Sequence, residues 1–335
     1  MVTIREVAKE ANVSIGTVSR YLNGFQLKKN NMENIKLAIE KLGYQENIIA
    51  KGLKNNRSMS IGVVINTLTD VFATSIVSYL ENYLEENNYS LLLCDYQNDY
   101  NKLEKKLDFL KSRSVDGIII FHLEKDLDIL YSIKQANIPI IAVDAPIEGF
   151  KSDVVLVNNY EASYRATEEL YNNGHREIGI IAGDNSRYIG KERLNGYRDF
   201  MISKNIFNQK NVAMADYSKD DGYKKTKKLL RNDRITAIYS TNYYMTLGTM
   251  QALYEEKFIV PDDISVIGFD HFELSDIIQP KLTVIEQPIK QMGKEIGELI
   301  INRVTQKNYD YDFQTLILET NLLKRDSVKK NKKGL

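Results

Sequence analysis

The stretch Thr3–Gly24, TIREVAKEANVSIGTVSRYLNG, decides how the chain begins. It reads as two short helices around a tight corner. Thr3 and Glu6 have the spacing of a capping box, in which the hydroxyl accepts from the Glu6 amide and the carboxylate reaches back. Ile4, Val7 and Ala8 then fall at the i, i+3, i+4 spacing of one apolar face. Asn12, between Ala11 and Val13, tolerates the left-handed backbone that a corner needs. Ser14 can cap the second helix, and Val18 and Leu22 set a second apolar stripe against the first. Ile15, Gly16, Thr17, Ser19 and Arg20 are left at the N-terminal end and outer side of that helix. A helix-turn-helix presents this end to the major groove. Any small helical hairpin would show the same pattern, so the rest of the chain has to decide.

Charge is the first guide. Among 335 residues the formal net charge is zero, yet residues 1–58 hold ten Lys or Arg against five Glu and no Asp, a balance of +5 that the remainder offsets. A basic head on an acidic body is the footprint of a nucleic-acid-binding domain attached to a sensor or an enzyme. The length suffices for two domains with a sizeable core. No run of 18 apolar residues indicates a membrane span, and the N-terminus has no apolar signal core. The single cysteine, Cys94, sits in the apolar run LLLC, which reads as a buried filler in a reducing cytoplasm. The ending, KRDSVKKNKKGL, reads as a solvated, disordered basic tail over 326–335.

Taken in order, a third helix spans roughly Asn31 to Leu42, with Ile35, Ala38, Ile39 and Leu42 as its stripe and Gly43 as its stop. ENIIAKGLKNNRS follows. Asn47 can cap one or two turns carrying Ile48, Ile49, Ala50 and Leu53, too short to hold alone in water. A plain linker and a hinge helix that folds only against DNA both fit it. From Ser60 the pattern becomes strand and helix in alternation: SIGVVIN, SLLLCDY, GIIIF, IPIIAVD, DVVLVNN, EIGIIAG, ITAIYS and ISVIGFD, then LTVIEQ, a helix Ile289–Val304 and FQTLILET. Near-continuous apolar strands separated by helices indicate parallel sheets covered on both faces. There are too many for one open sheet, so two α/β lobes are expected.

Ligands of such sheets bind at the carboxyl ends of the strands. The polar residues there are the site candidates: Asn66 to Asp70, Asp144, Asn158, Asn159, Asp184, Asn242 and Asp270, with Arg193 opening a helix nearby. Each alone reads equally as a turn or a helix cap. No GxSxG, HExxH, paired CxxC or phosphate-loop motif is present. His122, His175 and His271 show no metal spacing. His175 reads as part of a helix-ending turn, and His271, next to Asp270, could line the cleft. No enzyme activity, cofactor or metal is expected.

Together the head, the hinge and the two-lobed body resemble the LacI/GalR family of bacterial transcription regulators, over Thr3 to about Leu323. Beside the opening stretch, the resemblance rests on AIEKLGYQENIIAKGL, SIGVVI, NNGHREIGIIAG, ERLNGYRDF and VPDDISVIGFDHFELSDIIQPKLTVIEQPIKQMG. It implies an all-α helix-turn-helix head (1–46), a hinge helix and linker (47–58) and a two-lobed, periplasmic-binding-protein-like sensor and dimerisation domain of parallel sheets flanked by helices (59–325). It further implies a cytoplasmic homodimer, at the nucleoid when bound to a double-stranded operator. Ile15, Gly16 and Arg20 would face base edges, and arginine can read guanine in a bidentate contact. Ser14, Thr17 and Asn23 would sit on the phosphate backbone. Leu53 would wedge into the minor groove beside Lys54, from a hinge helix that includes Asn47 and Ala50. A carbohydrate-type effector would bind between the lobes at Asp70, Phe72, Asp144, Arg193, Asn242 and Asp270. A solute-binding receptor without gene control is the alternative, against which the basic head argues.

Four departures from the family pattern stand out. Leu27-Lys28 replaces the usual Val-Ser, so the usual cap of the third helix is lost and Asn30 or Asn31 is a candidate to replace it. Glu46 replaces a proline before the hinge. Asn158-Asn159 and Asn242-Tyr243 replace pairs containing an acidic residue, which points to a sugar acid or phosphosugar.

Overall fold

A computed structural model of the chain describes residues 2–22, 24–44, 57–125, 127–306 and 311–331. They form two compact units, Met1–Met59 and Ser60–Leu335. The hinge positions Asn47, Ala50, Leu53 and Lys54, and Asn23 in the head, lie outside the described residues.

The first unit packs α1 (Ile4–Glu10), α2 (Ile15–Leu22) and α3 (Lys29–Leu42) around Val7, Ala8, Ala11, Val18, Ile35 and Ala38. The Glu6 carboxylate does reach back, accepting from the Thr3 amide at 2.7 Å and from the Thr3 hydroxyl at 2.9 Å. Asn12 turns the corner at φ 51. The Ser14 hydroxyl accepts from the Thr17 amide at 3.2 Å, as a cap should. The third helix departs from expectation. It begins at Lys29, its N-cap is Lys28 without a side-chain cap bond, and neither Asn30 nor Asn31 serves. Leu27, packed against the core just ahead of it, fixes the entry instead. Gly43 ends the helix at φ 61, the left-handed stop that glycine allows.

The second unit is two lobes, each built on a six-stranded sheet. The first sheet runs β11-β5-β4-β3-β1-β2, all parallel. Its strands are β1 (Ser60–Ile65), β2 (Ser90–Asp95), β3 (Gly117–Phe121), β4 (Ile140–Val143), β5 (Asp153–Val157) and β11 (Thr315–Leu318). The second runs β12-β10-β9-β8-β6-β7, parallel except for β10–β12. It contains β6 (Ile178–Ala182), β7 (Val212–Met214), β8 (Ala237–Ser240), β9 (Ser265–Phe269), β10 (Thr283–Glu286) and β12 (Asn321–Leu323). The first lobe carries α4 (Val71–Glu86), α5 (Tyr100–Ser112), α6 (Asp128–Gln135) and, late in the chain, α12 (Ile289–Thr305). The second carries α7 (Asn159–Asn172), α8 (Tyr188–Ser203), α9 (Lys219–Leu229) and α10 (Tyr243–Glu255), with the short α11 (Leu274–Ile277) beyond β9. Cys94 is buried in the first lobe.

The chain crosses between lobes after β5, after β10 and after β11. Asn158 ties two of these crossings together. Its Oδ1 accepts from the Thr320 amide at 2.9 Å and the Thr320 hydroxyl at 2.8 Å, and its Nδ2 donates to the Glu319 carboxylate. Nearby, α12 is pinned to β5 by a buried bidentate pair, Arg303 to Asp153 at 2.7 and 2.8 Å.

The C-terminal segment corrects the expectation of a disordered tail, at least over 326–331. Ser327 is fully buried. Its hydroxyl accepts from the Thr283 amide at 2.8 Å and donates to the Val266 carbonyl at 2.6 Å. Asn331 donates to the Asn173 carbonyl at 2.7 Å. His175 lies between the Thr236 hydroxyl (2.9 Å) and the Lys329 carbonyl (3.2 Å). Burial pushes its pKa down to about 4, so the ring is neutral and can donate to that carbonyl. Composition registers the lysines, but the docking also uses Ser327, backbone groups, Val328 against the second-lobe core and an ion pair of Lys329 with Asp262 at 2.8 Å.

Candidate functional site

In the first unit, Ser14, Ile15 and Gly16 are exposed and Thr17 half-buried at the N-terminal end of α2, and Arg20 is exposed in its last turn. Ile15 keeps 46% of its surface exposed. The Ser14 and Thr17 hydroxyls lie 2.8 Å apart. Among the described residues Arg20 has no ion-pair partner, so its guanidinium is available.

In the second unit a cavity of ≈ 550 Å³ lies between the lobes, at the carboxyl ends of both sheets. All six expected effector positions, Asp70, Phe72, Asp144, Arg193, Asn242 and Asp270, line it. Asn158 and Tyr243 do not. The former holds the crossings and the latter stacks edge-on against Phe272, centroids 4.6 Å apart.

On the first-lobe wall, Asp70 caps α4, its Oδ1 accepting from the Phe72 amide at 3.0 Å and the Ala73 amide at 3.3 Å. Its other oxygen lies 3.3 Å from His122 Nε2, while His122 Nδ1 lies 2.9 Å from Asp144 Oδ2. Burial alone would lower the His122 pKa. The hydrogen bond to Asp144, then Asp70 and the two charges, overcome it and raise the pKa to about 10. The imidazolium therefore stays charged between two carboxylates. Burial pushes the Asp70 carboxyl up, but His122 pulls it below the usual range. His122 and Asp144 adopt φ 55 and φ 74, and Asp270 φ 75. Left-handed backbone at three strand ends stores strain where side chains are aimed at the cleft.

On the second-lobe wall, Arg193 of α8 donates through Nε to Asn159 Oδ1 and through Nη1 to the Thr241 carbonyl, each at 2.7 Å. Its guanidinium stacks 3.5 Å from the centre of the Phe269 ring. Neutral acceptors and an aromatic face hold it, and Nη2 has no partner among the described residues. Asp270 accepts from Gln287 Nε2 at 2.5 Å and from the Tyr243 amide at 3.2 Å. Burial raises its carboxyl above the usual range. Asn242 caps α10 through the Tyr244 and Met245 amides, at 3.0 and 3.3 Å. Of the two readings open for strand-end residues, the cap holds for Asp70 and Asn242, and both still face the cavity.

Three buried acceptors on the cavity wall lack a partner: Asn66 Oδ1, Asp144 Oδ1 and Gln287 Oε1. Buried acceptors are nearly always paired. An occupant that supplies hydroxyl or N–H donors would satisfy them. Around the rim stand Glu124, Asp184, Arg187, Asp216, Tyr217 and Lys219. Tyr217 fills space that two glycines leave open: a Cβ on Gly183 would lie 2.2 Å from its ring, and one on Gly190 2.6 Å from its hydroxyl.

His122 is the residue that sequence reasoning missed. Its signal was the one that marked Asp144 and Asp270, a polar residue directly after an apolar strand. Testing histidines only for metal spacing passed over it. His271, which by its place after Asp270 could have lined the cleft, lies 3.1 Å from Glu286 and 3.3 Å from Asp276, outside the cavity.

Comparisons with known proteins agree with this layout. Residues 3–47 match the family model described as bacterial regulatory proteins, lacI family. Residues 58–325 match that of periplasmic binding proteins and the sugar binding domain of the LacI family. The HTH-type transcriptional repressor PurR of Actinobacillus pleuropneumoniae serotype 3 (strain JL03) is 33% identical over 332 residues, 98% of this chain and 99% of that protein. A lac repressor dimer bound to operator and the anti-inducer ONPF superimposes with a TM-score of 0.83 at 25% identity, covering 98% of this chain and 99% of that one. The transcriptional regulator CelR in complex with cellobiose does so with a TM-score of 0.73 at 27% identity, covering 98% and 100%. The chain belongs to the LacI family of bacterial regulatory proteins, as a helix-turn-helix transcriptional repressor with a ligand-binding domain.

Proposed function

We propose that the chain acts in the cytoplasm as a homodimeric repressor of carbohydrate-utilisation genes, its operator affinity controlled by an uncharged sugar held between the lobes. The observation that supports an uncharged, donor-bearing effector is the set of unpartnered acceptors, Asn66 Oδ1, Asp144 Oδ1 and Gln287 Oε1, facing one cavity. Sugar hydroxyls donate to all three and accept from Arg193 Nη2. A sugar acid or phosphosugar fits less well. Wall and rim together hold six carboxylates (Asp70, Glu124, Asp144, Asp184, Asp216, Asp270) against Arg187, Arg193 and Lys219, and the His122 charge already lies within 3.3 Å of Asp70 and 2.9 Å of Asp144. The cellobiose complex of CelR supports the same class.

At the other end, Arg20 selects a base and Ile15 meets a thymine methyl, while Gly16 allows close approach. Ser14, Thr17 and Asn23 hold phosphates, and Asn47, Ala50, Leu53 and Lys54 belong to the hinge. Two heads are needed for a two-fold site. A groove of ≈ 820 Å³ lined by Ser75, Tyr79, Phe272 and Ile289 suits a second copy. Sugar binding shifts the population between lobe arrangements that favour or disfavour DNA.

The test has two steps. Thermal unfolding of the full chain is followed against a panel of neutral sugars, sugar acids and sugar phosphates, since a ligand of the folded state raises the midpoint. A sugar that does so is then added to the chain bound to a duplex selected from a random pool. A shift with a neutral sugar and a changed duplex affinity support the reading. Stabilisation by anionic sugars alone would overturn the effector class.

A further inference from the structure

Glu124 stands on the loop after β3, in the first lobe, whereas α8 belongs to the second. The N-cap residue of α8, Arg187, gives its first turn no side-chain acceptor. Glu124 Oε2 supplies one from across the cleft, accepting from the Tyr188 amide at 2.7 Å. A carboxylate of one lobe thus caps a helix of the other, at the end where the helix dipole favours negative charge. The Glu124 carbonyl accepts from the Glu148 amide at 2.9 Å, which anchors the loop within its own lobe. Tyr188 also packs its ring against the first lobe's core. A second bridge lies farther round the cavity, where the Tyr244 hydroxyl donates to the Thr69 carbonyl at 2.6 Å.

These contacts have one geometric consequence. Tyr188 begins the helix that carries Arg193 five residues later, on the cavity wall. Glu124 sits two residues after His122, whose imidazole holds Asp144. Opening the lobes would strip α8 of its cap and expose an unpaired amide and a carboxylate to water. Closing them restores the charged hydrogen bond and brings together the cavity walls that carry Arg193 and Asp144. Such a bond is short and stronger than one between neutral groups.

We propose that Glu124 is a positioning residue that latches the lobes shut, capping α8 only in the closed arrangement and so coupling occupancy of the cavity to operator affinity. The coupling half rests on the reading of the cavity as the effector site. The latch itself does not.

Hydrogen exchange at the Tyr188 amide, in the full chain, tests the latch directly. Tyr188 opens its helix, so no carbonyl within the helix protects that amide. The parent should show slow exchange there. Glu124→Ala should accelerate it at least tenfold while the amides of Gly196 and Tyr197, inside α8, keep their rates. Glu124→Gln, which retains an acceptor without charge, should recover part of the protection. Tyr244→Phe, which removes the other bridge, should leave more protection at Tyr188 than Glu124→Ala does. Equal Tyr188 rates in the parent and Glu124→Ala would overturn the latch.

Affinity for the selected duplex, measured without sugar, tests the coupling. A change of fivefold or more in Glu124→Ala, with partial return in Glu124→Gln, supports it. A change under twofold overturns it. If neither protein prefers any duplex, the reading as a regulator fails, and the exchange result still decides the latch.

Discussion

Replacing His122 by glutamine tests the buried charge at the cavity wall. The folded chain holds the His122 proton with a pKa of about 10, against an unfolded value near 6.5. A raised pKa means that the stabilisation is complete below about pH 6.5 and is lost as pH rises through about 10. In between, one extra proton bound by the folded state makes stability fall by about 1.4 kcal/mol per pH unit. Glutamine removes the charge and leaves the Asp70 and Asp144 carboxylates facing a neutral group. Breaking a buried ion pair in this way costs about 3–5 kcal/mol. The assay is urea unfolding of the second unit, followed by circular dichroism at pH 7.0, 7.75 and 8.5. Cys94, whose thiol burial pushes up, adds a loss of the same sign toward the alkaline end. It is common to both proteins and cancels in the difference. The parent should lose stability across the window, while His122→Gln starts lower and loses much less. Parallel slopes in the two proteins would refute the assignment of the proton to His122.

Other substitutions probe what holds the site in place. Arg303→Ala strands the Asp153 carboxylate in the first lobe, and urea unfolding should register a loss of about 3–5 kcal/mol. An unchanged midpoint would mean that water reaches the pair. Ser327→Ala leaves the Thr283 amide and the Val266 carbonyl short of a partner. A cost of about 1–3 kcal/mol is expected in the same assay, and a neutral result would show that the two Ser327 hydroxyl bonds do not hold the C-terminal segment. Arg193→Lys keeps the charge but loses the stacking on Phe269 and the fixed fork of donors. Titration calorimetry with the sugar found by thermal shift should show at least tenfold weaker binding, and equal affinity would remove Arg193 from the cavity chemistry.

The fold was largely legible because its signals are local. Capping residues, period-3.6 stripes and continuous apolar strands depend on neighbours in the chain, and Thr3, Glu6, Asn12, Ser14 and Gly43 all act near where they were read. β7 and β12, three residues each, lack the length to show a period. The largely charged run KDDGYKKTKKL hid α9. The site was legible as a list of strand ends but not as chemistry. Nothing in the sequence says that His122 pairs with residues 52 positions before it and 22 after it. Nor does it show that Asn158 faces Thr320 and not the cavity. Glu124 carries no local signal at all, because the helix it caps lies in the other lobe. Long-range pairing is set by the packing of the two sheets, which a local pattern does not encode.

The central claim is that one cavity governs a paired reader of DNA. Its most direct test is fluorescence anisotropy of the full chain on the selected duplex and on a random duplex, with and without the stabilising sugar, for the parent and Arg20→Ala. The parent should prefer the selected, two-fold symmetric duplex, its log affinity should fall linearly with log salt, and the sugar should change that affinity at least fivefold. Arg20→Ala should keep the salt dependence and lose the preference. Equal affinity of the parent for both duplexes, or an affinity for the selected duplex that the sugar leaves unchanged, would contradict the account.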